Sequence, residues 1–178
     1  MKIENIHSRD IPAPAAAVAA VLDSLGSEHD RLWPSKRWPP LRFTLAGPLA
    51  VGTPARHGSI RYVVEAYEPG RRLIFRFAPG VALEGIHGFE VTPLGADRTR
   101  LTHVIRGRVG VRRLLWWAVV RRYHDQVVED LLAQADAEAA GRPVRYPPLP
   151  RWMRVANGVE LRLGRLSGRA RRPGSVPA

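Results

Sequence analysis

At 178 residues the chain is long enough for one domain with a sizeable core and some additional sequence. It contains no cysteine, which excludes disulfides, thiol nucleophiles and cysteine-based zinc or iron–sulfur sites. The net charge of +12 is unevenly placed: residues 142–178 hold nine Arg and one Glu, so the first 141 residues are only mildly basic and no specific nucleic-acid role is expected.

The opening Met1-Lys2-Ile3-Glu4 lacks the apolar run of a secretory signal, so a cytoplasmic location is expected. Lys2 to Ile11 reads as a first strand. Pro12-Ala13-Pro14 stops it and launches a helix from Ala15 to about Leu25, ended by Gly26. A second short helix is predicted over Ser27 to Leu32, with Ser27 as its cap. Trp33 to Pro40 carries three prolines and two tryptophans, so it is a loop whose indoles must find cover. Two readings are open for Trp33 and Trp38: a lid over a pocket, or anchors for the loop. Leu41 to Ala46 is a short strand, and the glycines at 47, 52 and 58 suggest an irregular rim that matches no phosphate-binding motif.

Gly58 to Tyr67 and Arg72 to Ala78 form a hairpin around Glu68-Pro69-Gly70-Arg71. A two-residue turn at Pro69-Gly70 would set Ala66 opposite Leu73, Val64 opposite Phe75 and Tyr62 opposite Phe77. Gly85 to Val91 and Thr99 to Gly107 form the next hairpin. Centred on Gly95, it pairs Phe89 with Leu101 and His87 with His103. Val111 to Ala140 then reads as one helix about 45 Å long, with Trp117, Val120, His124, Val127, Leu131 and Ala135 on its inner stripe. Arg122, Asp125, Glu129 and Asp136 are expected to face water. Its apolar block, Leu114 to Val120, is far shorter than the roughly 20 residues a bilayer span takes.

Strand, helix pair, antiparallel strands and long C-terminal helix make an α+β layout with one sheet face covered by a helix. Several stretches carry a resemblance: Ile11-Pro12-Ala13-Pro14 before the first helix, Tyr67-Glu68-Pro69-Gly70-Arg71-Arg72-Leu73 in the central hairpin, Gly85-Ile86-His87-Gly88-Phe89-Glu90-Val91 with Arg98-Thr99-Arg100-Leu101-Thr102-His103 behind it, and the terminal helix. Over residues 1 to about 140 the chain resembles the START-like, SRPBCC superfamily, which includes polyketide cyclase/dehydrase-like proteins, lipid-transfer domains and plant pollen-allergen relatives. The resemblance implies the helix-grip fold, a curved antiparallel sheet around a long C-terminal helix. It also implies a hydrophobic-ligand cavity, and it transfers no catalytic residue set.

Period-two alternation and the helical stripe direct His87, His103 and His124 inward. They are candidates for acid–base catalysis, as in a cyclase or dehydratase, or for a polar fringe inside a pocket. A metal site is not expected, because no partners to orient the imidazoles can be named, and no motif implies a cofactor. Tyr62, Phe75, Phe77, Phe89 and Trp117 join the three histidines as the expected lining of a site for a small hydrophobic or aromatic molecule, lipid or polyketide-like. An ordinary packed core is the alternative for any one of these rings. No strand–turn–helix elbow around a serine suggests a hydrolase.

The domain is expected to end near residue 141, followed by a basic, Pro/Arg-rich extension over 142–178. Pro143 to Pro150 reads as a stiff linker. Beyond it, Trp152, Ala156, Val159, Leu163 and Leu166 share one stripe, beside Arg151, Arg154, Arg162, Arg165 and Arg169. That pattern suits peripheral contact with an anionic membrane through 151–169, or packing back on the domain, or disorder. Nothing in the sequence sets an oligomeric state.

Overall fold

The computed structural model describes residues 1–110 and 114–154, without the side chains of residues 40 and 114–119. Seven strands, β1 (Lys2–Ile11), β2 (Phe43–Leu45), β3 (Pro54–His57), β4 (Ile60–Glu68), β5 (Arg72–Phe77), β6 (Leu83–Gly95) and β7 (Arg98–Val109), accompany helices α1 (Ala15–Leu22) and α2 (Leu114–Ala139). They form one antiparallel sheet in the order β1-β7-β6-β5-β4-β3-β2, so β1 closes beside β7 and the remaining neighbours are hairpins. Both helices lie on one face of this curved sheet, α1 against α2, β6 and β7, and α2 across β1 and β7. This is the helix-grip α+β architecture expected from the sequence.

Close strand approach depends on glycine. A Cβ on Gly88 would lie 2.1 Å from the Leu73 carbonyl oxygen, and one on Gly107 would lie 2.3 Å from that of Glu84. Ile74, buried on the far side of the sheet from the cavity, uses the space over Gly88. Only a residue without a side chain lets the strands meet this closely.

Several predicted details are corrected. α1 ends at Leu22 rather than about Leu25, and residues 27–32 form turns instead of a second helix. The reason is Asp30, whose carboxylate accepts from the backbone N–H groups of Gly26, Leu32 and Trp33, each at 2.9 Å. Such local bonds compete directly with helical ones. Part of the expected irregular rim is instead β3, a four-residue strand that begins at Pro54, where the missing N–H is least costly.

The β4–β5 loop holds three residues, with Glu68 opposite Arg72 and Gly70 at φ +72°. That shifts Tyr67 opposite Leu73 and Ala66 opposite Ile74. A bulge at Glu65 then absorbs the extra residue, so Val64–Phe75 and Tyr62–Phe77 pair as expected. In the β6–β7 hairpin the whole register moves by one pair. Phe89 faces His103, Val91 faces Leu101 and His87 faces Ile105, so the two histidines are diagonal rather than opposite. The shared inward face survives, because a shift by one pair moves each partner two residues along its strand.

Of the α2 flank expected to face water, Arg122 is exposed, whereas Asp125, Glu129 and Asp136 grip the edge strand. Asn5 Nδ2 donates to Asp125 at 2.8 Å, and the His7 ring lies 3.1 Å from Asp125 and 2.8 Å from Glu129. Arg9 reaches Glu129 at 3.5 Å and Asp136 at 3.8 Å. α2 also carries Asp130, fully buried, which accepts from Arg37 Nε at 2.8 Å, Trp38 Nε1 at 3.0 Å and Gln126 Nε2 at 3.0 Å. This carboxylate anchors the proline-rich loop.

Residues 143–150 have no regular structure, as their prolines require, yet they do not lead away from the domain. Arg37 donates to the Pro147 carbonyl and lies 5.0 Å over the Tyr146 ring, and the Tyr146 hydroxyl bonds Gln134 on α2. Met153, in a helical turn at 151–154, is buried in the main core. The remaining stripe of the extension, from Ala156 to Arg169, lies outside the described residues. Among the described residues no helix is long and apolar enough to cross a membrane.

Candidate functional site

Between the concave face of the sheet and α2 lies a cavity of about 120 Å³. Tyr62 on β4, Phe75 and Phe77 on β5, His87 and Phe89 on β6, His103 on β7 and His124 on α2 all line it. The structure thus brings together seven of the eight residues singled out from the sequence. The side chain of the eighth, Trp117, is outside the described residues. Trp33 also borders the cavity, and so do Phe43, His57 and Tyr123, which the sequence does not single out. For His57 the missing signal was β3 itself: once that strand is placed, His57 pairs with Ile60 beside Tyr62.

The polar rings form a continuous series. Tyr62 and His57 Nδ1 are hydrogen-bonded at 2.6 Å. The Tyr62 ring lies 4.3 Å from that of His87; His87 lies 5.9 Å from His103, and His103 lies 5.2 Å from His124. Phe75 stacks on His87 at 5.2 Å and Phe89 meets His103 edge-on at 4.9 Å. His87 Nε2, His103 Nδ1 and His124 Nδ1 are buried and make no hydrogen bond within the protein among the described residues, nor does Trp33 Nε1.

Burial dominates the electrostatics. It holds His87 and His103 well below the ordinary imidazole range, with neighbouring imidazoles adding to the effect. Burial also lowers His124, although Asp125 beside it pulls the other way. His57 is pushed down to about 3, chiefly by burial and then by His124, while burial raises the Tyr62 phenol well above its usual value. At neutral pH the site therefore presents uncharged imidazoles and an uncharged phenol. Each imidazole offers one donor and one acceptor. No group of three His, Asp or Glu side chains among the described residues is placed to hold a metal ion.

Trp38 is an anchor: it is fully buried, bonded to Asp130 and edge-on to Tyr123 at 5.1 Å. Trp33 packs 5.6 Å from Phe43 and 5.2 Å from His57 and borders the cavity.

No protein-family model and no curated protein matches the sequence. Solved structures do share the fold. A Thermobifida fusca protein known from solution NMR has a TM-score of 0.60 and 16% identity, over 81% of this chain and 99% of that one. Norcoclaurine synthase from Thalictrum flavum, in complex with dopamine and hydroxybenzaldehyde, has a TM-score of 0.57 and 11% identity, over 79% of this chain and 87% of that one. The Zhui aromatase/cyclase from Streptomyces sp. R1128 has a TM-score of 0.55 and 18% identity, over 80% of this chain and 100% of that one. The architecture they share with this chain is the helix-grip fold. At these identities the likeness establishes fold and leaves the chemistry to the site.

Proposed function

We propose that the protein binds one compact, uncharged aromatic group in the cavity between sheet and α2, held by apolar walls and hydrogen-bonded to its neutral imidazoles. One observation carries this reading: a cavity of about 120 Å³ is lined by three histidines, each with one buried ring nitrogen that makes no hydrogen bond within the protein among the described residues. An unsatisfied buried polar atom costs about 1–3 kcal/mol, and a ligand group that bonds it recovers much of that. An apolar protein cavity of about 150 Å³ accommodates benzene, so this volume suits a single ring better than a lipid chain or a multi-ring polyketide. Norcoclaurine synthase, which shares the fold, is known in complex with two aromatic molecules, dopamine and hydroxybenzaldehyde.

Phenol and toluene, close in shape and different in hydrogen bonding, test the idea by calorimetric titration. Phenol is expected to bind at least about fivefold more tightly, the equivalent of roughly one net hydrogen bond. Replacing His87 and His103 by Phe should remove the preference. Failure of both probes to bind would discard the reading.

A second reading, a cyclase or dehydratase-type enzyme, is favoured by the 2.6 Å Tyr62–His57 pair on the cavity wall. An unprotonated imidazole near a bound carbonyl compound can take a proton from it. Peripheral membrane contact through 151–169 rests on Trp152, which is 47% exposed. Equal sedimentation with anionic vesicles, with and without residues 151–178, would dismiss it.

A further inference from the structure

The cavity has an outer neighbour. A groove of about 560 Å³ is walled by Ser59, Ile60 and Arg61 at the start of β4 and by Pro79 to Ala82 in the β5–β6 loop. Ile60 and Val81 line both spaces, so the groove adjoins the cavity across these two side chains. The two differ in character. Every titratable group lining the cavity is an uncharged imidazole or phenol at neutral pH, with no lysine or arginine, whereas the groove carries the guanidinium of Arg61.

Arg61 is the charged residue in the groove wall, and Arg56 lies across the strand pair from it. Five other arginines on the outer face meet carboxylates on neighbouring strands: Arg76 with Glu65 at 2.5 Å, Arg72 with Glu90 at 3.5 Å, Arg106 with Glu4 at 2.6 Å, and both Arg98 and Arg100 with Asp10 at 2.6 Å. Arg61 sits directly opposite Arg56 across β3 and β4. Like charges in that position repel. Among the described residues neither has an acidic partner, although Arg56 Nε reaches Thr44 Oγ1 at 3.4 Å. An anion is what this pair lacks.

We propose that the groove is the outer half of the ligand site, taking an anionic group, such as a carboxylate, tethered to the aromatic ring held inside. This rests on the aromatic-cavity reading and narrows it to aryl acids with a short apolar tether. The tether passes between Ile60 and Val81, the carboxylate lies on Arg61 and Arg56, and the imidazoles meet only the uncharged end. An anion inside the cavity would find no cation, and burying it unpaired is prohibitively costly.

Phenylbutyrate and phenylbutanol, which share ring and tether, separate the possibilities when titrated into the full chain at low and moderate salt. Phenylbutyrate is expected to bind about three- to tenfold more tightly at low salt, as befits exposed guanidinium–carboxylate pairs. Added salt should erase the difference. Arg61→Ala with Arg56→Ala should do the same without altering phenylbutanol affinity, and Arg61→Lys should retain part of it. Equal affinity of the two probes for the native protein overturns the proposal and leaves the aromatic cavity standing. Equal weakening of both probes by the arginine substitutions also overturns it. Binding of neither probe removes both readings.

Discussion

Acid should unfold this protein earlier than its carboxylates alone would require, and the slope can be worked out. His87 and His103 are 7% and 3% exposed, and burial keeps both neutral in the fold well below pH 6.5. In the unfolded chain both bind a proton below about pH 6.5. The unfolded state then holds more protons, so stability rises with pH and is lost on acidification. Each neutral buried imidazole contributes a slope of about 1.4 kcal/mol per pH unit, or about 2.7 for the two. Between pH 6 and 5 normal carboxylates, with pKa values near 4, add little. Urea unfolding at half-unit intervals over that range, followed by tryptophan fluorescence, measures the slope. The double variant His87→Gln/His103→Gln should flatten it by about 2–3 kcal/mol per pH unit, whatever the substitutions cost in absolute stability. An unchanged slope would mean that these rings are charged or solvated in the fold, and the neutral-site argument would fail with it.

Asp130→Ala removes the acceptor for Arg37, Trp38 and Gln126 inside the fold. It should cost about 3 kcal/mol in urea unfolding, and Arg37→Met in the same chain should recover part of the loss. Phe75→Ala should cost about 3–5 kcal/mol, because the ring is fully buried against Phe43, Tyr62 and His87, although it also borders the cavity. A loss below about 1 kcal/mol would show the ring to be free lining. Gly88→Ala would drive a methyl to within 2.1 Å of the Leu73 carbonyl oxygen, so thermal unfolding should show a loss of at least about 3 kcal/mol. Native-like stability there would mean that β5 and β6 do not approach so closely.

Periodicity along the chain was sufficient for the long strands, the two helices and the inward stripe of each. The alternation through Tyr62, Val64, Phe75 and Phe77 placed those rings on one side of the sheet, and the stripe from Val120 to Ala135 placed His124 against them. Both signals are local: a strand turns its side chains over every residue and a helix every 3.6, whatever the rest of the chain does. Contacts between distant segments have no such local signature. The bulge at Glu65, the one-pair slip that sets His87 diagonal to His103, and the four-residue β3 that delivers His57 arise from strand pairing. Asp125 and Glu129 read as solvated helix positions, and nothing along the chain singles out Asp130. Which of them is buried depended on where α2 crosses β1 and the tryptophan loop. The volume of the cavity was likewise settled by packing, since it is what remains after sheet, helix and loop have each buried their own apolar surface.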